Sequence, residues 1–394
     1  MKSLYLDHNS TTPLSPAAAK AMAEAQAQHG ANPASQHALG RRARQALEDA
    51  REDVARWLGA RTKTHAADRV IFTSGGTEAN NLALFGLARL LAPRSSPGEA
   101  IVSAIEHPSV DQPARLLERH GWRVHRLRVT ADGVADLYHL DALLSRETRI
   151  VSLMLANNET GVVQPVQEVA QRCAALNVPL HVDAAQAVGK LPVDFRELGA
   201  SLMSVAAHKF HGPIGVGALL ARHGVTLEPL LRGGPQQGEL RPGTESVALA
   251  VGMRAALAEC VNDLDHRTQR MQALRNRLER GLAQCHAGQV VINGAAAPRL
   301  PNTTSVAFLG IDRQPLLMAL DLAGVCCSTG SACASGSSEP STVLKAMGVS
   351  AEVLAGSIRI SLGTTTTEAE VDEALKRIAR VCVQLTGKPA VARR

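Results

Sequence analysis

At 394 residues the chain is too long for one ordinary core, and two domains are expected. Hydrophobic residues make up 45% and charged residues 20%, a globular balance, while aromatics at 2% leave the core to Ala, Leu and Val. The net charge of +6 is the difference between 42 basic and 36 acidic residues that are interspersed, which argues against a nucleic-acid partner. No apolar segment of signal-peptide type opens the chain, no apolar run reaches membrane-spanning length, and a cytoplasmic protein with no membrane partner is expected. Seven cysteines in a long chain, an odd number without framework spacing, fit the same compartment.

In chain order, Ser15 and Pro16 open a helix as N-cap and first-turn proline. A second helix over about 39–58 stops at Gly59. Five short apolar runs, 70–73, 101–104, 150–155, 180–182 and 202–205, read as buried strands. Helical segments near 77–92, 109–120 and 165–176 separate them, so the pattern predicts a mainly parallel sheet with helices on both faces. Beyond residue 245 the reading changes to one long helical stretch, 246–285, then strands near 289–292, 303–308 and 357–361 and helices near 314–323 and 367–385. The expected division is a large α/β domain over 16–260 and a smaller α+β domain from 1–15 and 261–394. The latter carries a Ser/Gly/Ala-rich loop at about 326–340.

Each of the five predicted strands is followed by unusual polar residues. They are Ser74–Gly75–Gly76–Thr77, then Glu106 and His107, then Asn157, Asn158 and Glu159, then Asp183 and Gln186, and finally His208 and Lys209. The carboxyl ends of parallel strands share one edge, where open α/β folds bind ligands, so these clusters mark a single site. Gly76 and Thr77 at a strand-to-helix turn offer free N–H groups and a hydroxyl to a phosphate, although a plain turn explains them equally well; neither a Walker loop nor a dinucleotide fingerprint is present.

Asp183 ends the apolar run HVD and is either a helix N-cap or the counterion of a protonated pyridine nitrogen. Lys209 in AAHKFHGP is read as a Schiff-base amine rather than a surface lysine. His107 can stack on a planar ring and relay protons. Cys173, Cys260, Cys285 and Cys382 read as small buried hydrophobes, and at least one of Cys326 and Cys327 as inward-facing. Cys333, among Gly330, Ser331, Ala334 and Gly336, reads as an exposed reactive thiol. A metal site built from Cys326, Cys327 and Cys333 is the weaker alternative, because no second cysteine pair completes it, and no metal is expected.

From YLDHNSTTP through FTSGGTEANNLAL, SAIEHPSV, LANNETGVVQP, HVDAAQAVGKLPVD, AAHKFHGPIGVGAL, RPGTES and STGSACASGSSEPSTVL to SIRISLGTTTTEAEVD, the chain resembles the cysteine desulfurases of the NifS/IscS type. These belong to the class V aminotransferases, fold type I enzymes of pyridoxal 5'-phosphate. The resemblance implies a large domain with a mainly parallel seven-stranded sheet flanked by helices, plus a smaller α+β domain. It implies removal of sulfur from L-cysteine to give L-alanine and a persulfide on Cys333, delivered to an acceptor such as an iron–sulfur scaffold protein. Another pyridoxal-phosphate lyase or aminotransferase, such as a selenocysteine lyase, is the alternative.

By the same resemblance Lys209 carries the cofactor, Asp183 pairs with its ring nitrogen, and Gln186 and Asn158 contact its ring hydroxyl. His107 stacks on the ring, Gly76, Thr77 and His208 hold the phosphate, and Thr244 reaches it from the partner subunit of a homodimer. Arg359, with Asn158 beside it, binds the substrate carboxylate through its bidentate fork. The chain departs from the family pattern at GGTEAN, at Ala206 in place of a phosphate-binding serine, at Ile214 in place of a lysine, and at GGPQQ over 233–237. The missing hydroxyl at Ala206 is worth about 0.5–1.5 kcal/mol.

Overall fold

The computed structural model describes residues 3–62, 64–89, 97–285, 289–330 and 339–387. In chain order the strands are β1 Leu4–Tyr5, β2 Arg69–Thr73, β3 Glu99–Ser103, β4 Arg123–Leu127, β5 Thr148–Met154, β6 Leu180–Asp183, β7 Leu202–Ala206, β8 Gly217–Ala221, β9 Val290–Ile292, β10 Thr303–Phe308, β11 Val325–Cys326 and β12 Ser357–Ser361. Seven of them form one sheet in the order β2-β8-β7-β6-β5-β3-β4. All neighbours are parallel except β8, which runs antiparallel to both β2 and β7. The five strands expected from apolar runs therefore point the same way, and their carboxyl ends share one edge.

Two strands of this sheet escaped the apolar-run reading. β4 is RVHRL, a sheet-edge strand with only Leu127 buried, so it carries no apolar run. β8 begins at Gly217, where a Cβ would lie 2.6 Å from the Val205 carbonyl oxygen and within 2.8 Å of the Gly75 backbone. That close approach explains the glycine and places the strand against the Gly75–Gly76 turn.

The long helical stretch is two helices, Val247–Asn262 and Leu264–Cys285, parted at Asp263 (φ −134°, ψ 22°). Asn and Asp side chains compete for nearby backbone groups and favour helix ends, which corrects the expectation of one continuous helix. Elsewhere the local signals operate as read: Ser15 accepts from the Ala18 N–H, and Gly59 takes φ 75° after the helix Ala38–Trp57.

Apolar side chains from the sheet and its covering helices form the larger core, with Phe195, Leu153 and Met203 fully buried. A separate core gathers Leu4 and Leu6 with Leu278, Phe308, Leu316, Ile360 and Ile378. It lies around the antiparallel sheet β12-β10-β9 and the parallel pair β1-β11. The N-terminal arm joins the two regions: Leu4 and Tyr5 pair with Val325 and Cys326 and Asp7 bridges Ser361 in the smaller one, while the Thr12 N–H donates to the His208 carbonyl (2.9 Å) in the larger. Cys173, Cys260 and Cys382 are buried, while Cys326 and Cys327 are intermediate, Cys327 packing against the smaller core. Cys285 closes its helix, and its side chain lies outside the description.

Candidate active site

The sheet edge brings the predicted residues together. Gly76 opens the helix Gly76–Ala88 directly after β2, His107 caps the helix Pro108–Arg119 after β3, and Asn158 follows β5. Asp183 is the last residue of β6, and Lys209 closes the short 3₁₀ turn Ala207–Lys209 after β7. The helix at Gly76 has no side-chain cap to take its first N–H groups, and around Gly75 a Cβ would meet nothing within 4 Å. Ala206, which replaces the family serine, sits on this cradle, its Cβ 3.3 Å from where a Cβ on Gly76 would be.

Asp183 is 6% exposed and is held by neutral donors: Asn80 Nδ2 at 2.7 Å to Oδ2 and the Ala185 N–H at 2.9 Å to Oδ1. Among the described residues no Lys, Arg or His forms an ion pair with it. A carboxylate in this position is left wanting a cation. His107 accepts at Nδ1 from the Ser109 N–H (3.1 Å), with Ser109 Oγ 2.7 Å from the same nitrogen. Burial lowers its pKa, opposed by the Asp183 charge and assisted by Lys209. His208 is pushed down to about 4 by burial and by the cations Lys209 and Lys190. Glu106 accepts from the Met154 N–H; burial, with Asp183 nearby, pushes its carboxyl well above the usual range.

The N-terminal arm lies over this edge. Lys209 Nζ donates to the carbonyls of Asn9 (2.6 Å) and Ser10 (2.7 Å), and Gln186 Nε2 donates to the same Asn9 carbonyl (2.9 Å). Behind Gln186, the buried Lys190 donates to its Oε1 and its carbonyl. Burial, then Lys209 and Arg359, bring the Lys190 ammonium down to about 7. His208 Nδ1 lies 3.1 Å from Thr11 Oγ1.

Arg359 reaches the site from β12. It is 2% exposed, donating from Nη2 to Asp7 Oδ1 (2.6 Å) and from Nη1 to the carbonyls of Asn158 (3.1 Å) and Gly330 (3.2 Å). Its buried Nε has no partner among the described residues, leaving a donor for an anion. Asn158 thus meets Arg359 through its carbonyl. Glu159 marks both approaches to the Ser/Gly/Ala-rich segment: it accepts from Ser341 Oγ (2.5 Å), and its Oε2 lies 2.8 Å from where a Cβ on Gly330 would be. Cys333 lies outside the described residues. Thr244 is exposed, and among the described residues no hydrogen bond ties it to the site of its own chain.

Asp7, Asn9, Asn80, Ser109, Glu159 and Lys190 were not singled out for a role from the sequence alone. Asn80 follows the phosphate turn within GGTEANN, and Asp7 and Asn9 sit in YLDHNSTTP, so the motifs contained them without revealing what they touch.

The profile of the aminotransferase class-V family matches residues 4–374. The chain belongs to the class V aminotransferases. It is 39% identical over 384 residues to a protein of Dictyoglomus turgidum named cysteine desulfurase IscS, covering 98% of this chain and 95% of that protein. It is 46% identical over 377 residues to an IscS-like cysteine desulfurase of Mycobacterium tuberculosis, covering 94% of each. The fold is similar to a solved structure titled a NifS-like protein, with TM-score 0.88, 35% identity, and coverage of 97% of this chain and all of the other.

This class V site fits pyridoxal 5'-phosphate, the family's cofactor. An amine stands at Lys209, the buried Asp183 carboxylate has no cation paired with it among the described residues, and the uncapped helix start at Gly76 offers N–H groups to a phosphate.

Proposed function

We propose that the protein is a cysteine desulfurase that takes sulfur from L-cysteine, releases L-alanine and holds the sulfur as a persulfide on Cys333. The observation that carries this reading is the buried Asp183, without an ion-pair partner among the described residues, on the same sheet edge as Lys209 and His107, in a chain similar over nearly its full length to proteins named cysteine desulfurases.

When bound, pyridoxal phosphate supplies an electron sink for charge developing at the substrate Cα. Lys209 would hold it, Asp183 would keep its ring nitrogen protonated, and Gln186 and Asn158 would meet its hydroxyl. Gly76, Thr77 and His208 would take the phosphate, with Thr244 of a second copy completing it in a homodimer. Arg359 binds the substrate carboxylate through the Nε edge that Asp7 leaves open. Lys209 moves the α-proton, and His107 serves the protons of the leaving chemistry. The Cys333 thiolate attacks the substrate sulfur: the S–S bond forms, the C–S bond breaks, and its electron pair stays on the substrate carbon, which takes a proton to become the methyl of alanine. The persulfide then passes to a thiol acceptor, for which an iron–sulfur scaffold in the cytoplasm is our assignment.

The test is the visible spectrum of the purified protein, followed by L-cysteine and an alanine assay, beside K209A and C333S. A yellow wild type, a K209A protein without the band, and alanine release lost in C333S are expected. A colourless protein that pyridoxal phosphate cannot reconstitute would overturn the reading, and undiminished sulfide release in C333S would favour another lyase of the same family.

A further inference from the structure

Asn80 lies on the helix behind the phosphate turn and is 1% exposed. Its amide has two hydrogens, and both are used on different elements. Nδ2 donates to Asp183 Oδ2 at the end of β6 (2.7 Å) and to Ser109 Oγ in the helix after β3 (2.8 Å). Rotating the amide would set its oxygen against the Asp183 carboxylate, so the donor orientation is fixed. The cost is visible on the other side: Asn80 Oδ1 is buried with no partner among the described residues. Space filling gives no reason to keep a buried acceptor unsatisfied; an amide retained for its two donated hydrogens does.

The direction of the next link also follows. The Ser109 N–H donates to His107 Nδ1, so that nitrogen carries a lone pair. Ser109 Oγ, 2.7 Å from the same atom, must therefore donate to it, and its own lone pair accepts from Asn80. We propose that Asn80 is a positioning residue that couples the Asp183 carboxylate to the His107 imidazole. It pins Asp183 Oδ2 and turns the Ser109 hydroxyl proton onto His107 Nδ1, keeping the imidazole proton on Nε2. The inference rests on the reading of Asp183 and His107 as cofactor residues and adds what aligns them to each other.

The experiment compares wild type with N80A, N80D, S109A, H107Q and S109A/H107Q. It reads the pyridoxal-phosphate affinity of the apoprotein, the position of the visible band in the holoprotein, and kcat and KM for alanine formation from L-cysteine. N80D keeps the shape but replaces the donor with an acceptor against Asp183, so it is expected to be the worse substitution. Cofactor affinity and kcat should each fall about 100-fold in N80D and about 10-fold in N80A, with a displaced band and little change in KM. S109A should lower kcat about 10-fold with cofactor affinity unchanged, and should cost nothing further in the H107Q background. A benign N80D beside a damaged N80A would make Asn80 a space filler and overturn the proposal. So would an S109A penalty that is the same with and without His107. Should N80D fail to fold, as judged by melting of the apoprotein, N80A and the Ser109–His107 cycle decide the question. A wild type that binds no pyridoxal phosphate would bring down the functional reading instead, which distinguishes the two failures.

Discussion

Two regions build the site, and they contribute different kinds of atoms. The parallel-sheet edge supplies side chains, among them the Asp183 carboxylate, the His107 ring and the Lys209 amine, each at the carboxyl end of a strand. To Lys209 and Gln186 the N-terminal arm supplies main chain: the Asn9 and Ser10 carbonyls accept from Lys209, and the Asn9 carbonyl also accepts from Gln186. The difference matters because a side-chain contribution is tied to residue type, whereas a carbonyl is offered by every residue. Substitutions should therefore damage the edge severely and the arm only where it acts through a side chain.

Asp183→Asn is the severest test of the edge. It keeps the shape, removes the charge and should lower alanine formation by at least about 100-fold, measured at saturating cofactor. Retention of activity would remove the counterion role.

Asp7 is one of the arm residues that act through a side chain, with Asn9 Nδ2 at the Asn158 carbonyl and Thr11 Oγ1 at His208; its carboxylate pairs with Arg359, a side chain only 2% exposed. Asp7→Ala strands a buried guanidinium and should cost about 3–5 kcal/mol of stability in denaturant melts, together with a raised KM for L-cysteine. An unchanged melt and KM would place Asp7 among the arm's replaceable residues.

Acidification tests both regions at once. His8 on the arm, His181 within the sheet and His208 at the edge all have pKa values lowered from 6.5 to about 4, chiefly by burial. Between those values the unfolded chain binds protons that the folded one excludes, so stability rises with pH across the window and is lost as pH falls through it. The buried Glu106 works in the opposite sense, because its raised folded pKa makes stability fade as pH climbs above the ordinary carboxylate range. Glu159, also raised by burial, acts with Glu106, while His107 and His211, lowered by burial, act with the other histidines. Melting temperature should climb from about pH 4 to about pH 6.5, the histidines outweighing the two carboxyls; a flat curve would contradict that balance.

The smallest effect is expected at Ser10→Ala. Ser10 acts on Lys209 through its carbonyl, which alanine retains, so alanine formation should be unchanged. A large loss would show that the arm also works through this hydroxyl and would narrow the contrast with the edge.

The same contrast explains what could be read in advance. Four of the five apolar runs were legible as strands because both faces of a central parallel strand are buried, and the fifth, β2, because an edge strand with every residue after Arg69 buried keeps its apolar run. β4 was not, since RVHRL lies at the sheet margin with solvent on part of it. The break at Asp263 was hidden within a stretch that is helical on either side. In the site, Asp183, His107 and Lys209 stood out because ionisable groups directly after apolar strands are costly unless used. Asn80 is a polar residue in an otherwise ordinary helix, and Glu159, though placed on the edge by its strand, gives no local sign of its partner; nothing local says that one meets Asp183 and the other Ser341.

By itself, then, the sequence determined the strand-and-helix alternation, the shared edge and the ionisable residues placed on it, because periodicity and residue type are local properties. Tertiary structure alone decided that the arm's carbonyls face Lys209, that Asp7 holds Arg359 across the chain, and that one asparagine amide joins Asp183 to His107. Those contacts join residues far apart in the chain, and hydrogen bonds of this kind are specified by where the packed elements bring two atoms rather than by the pattern around either one.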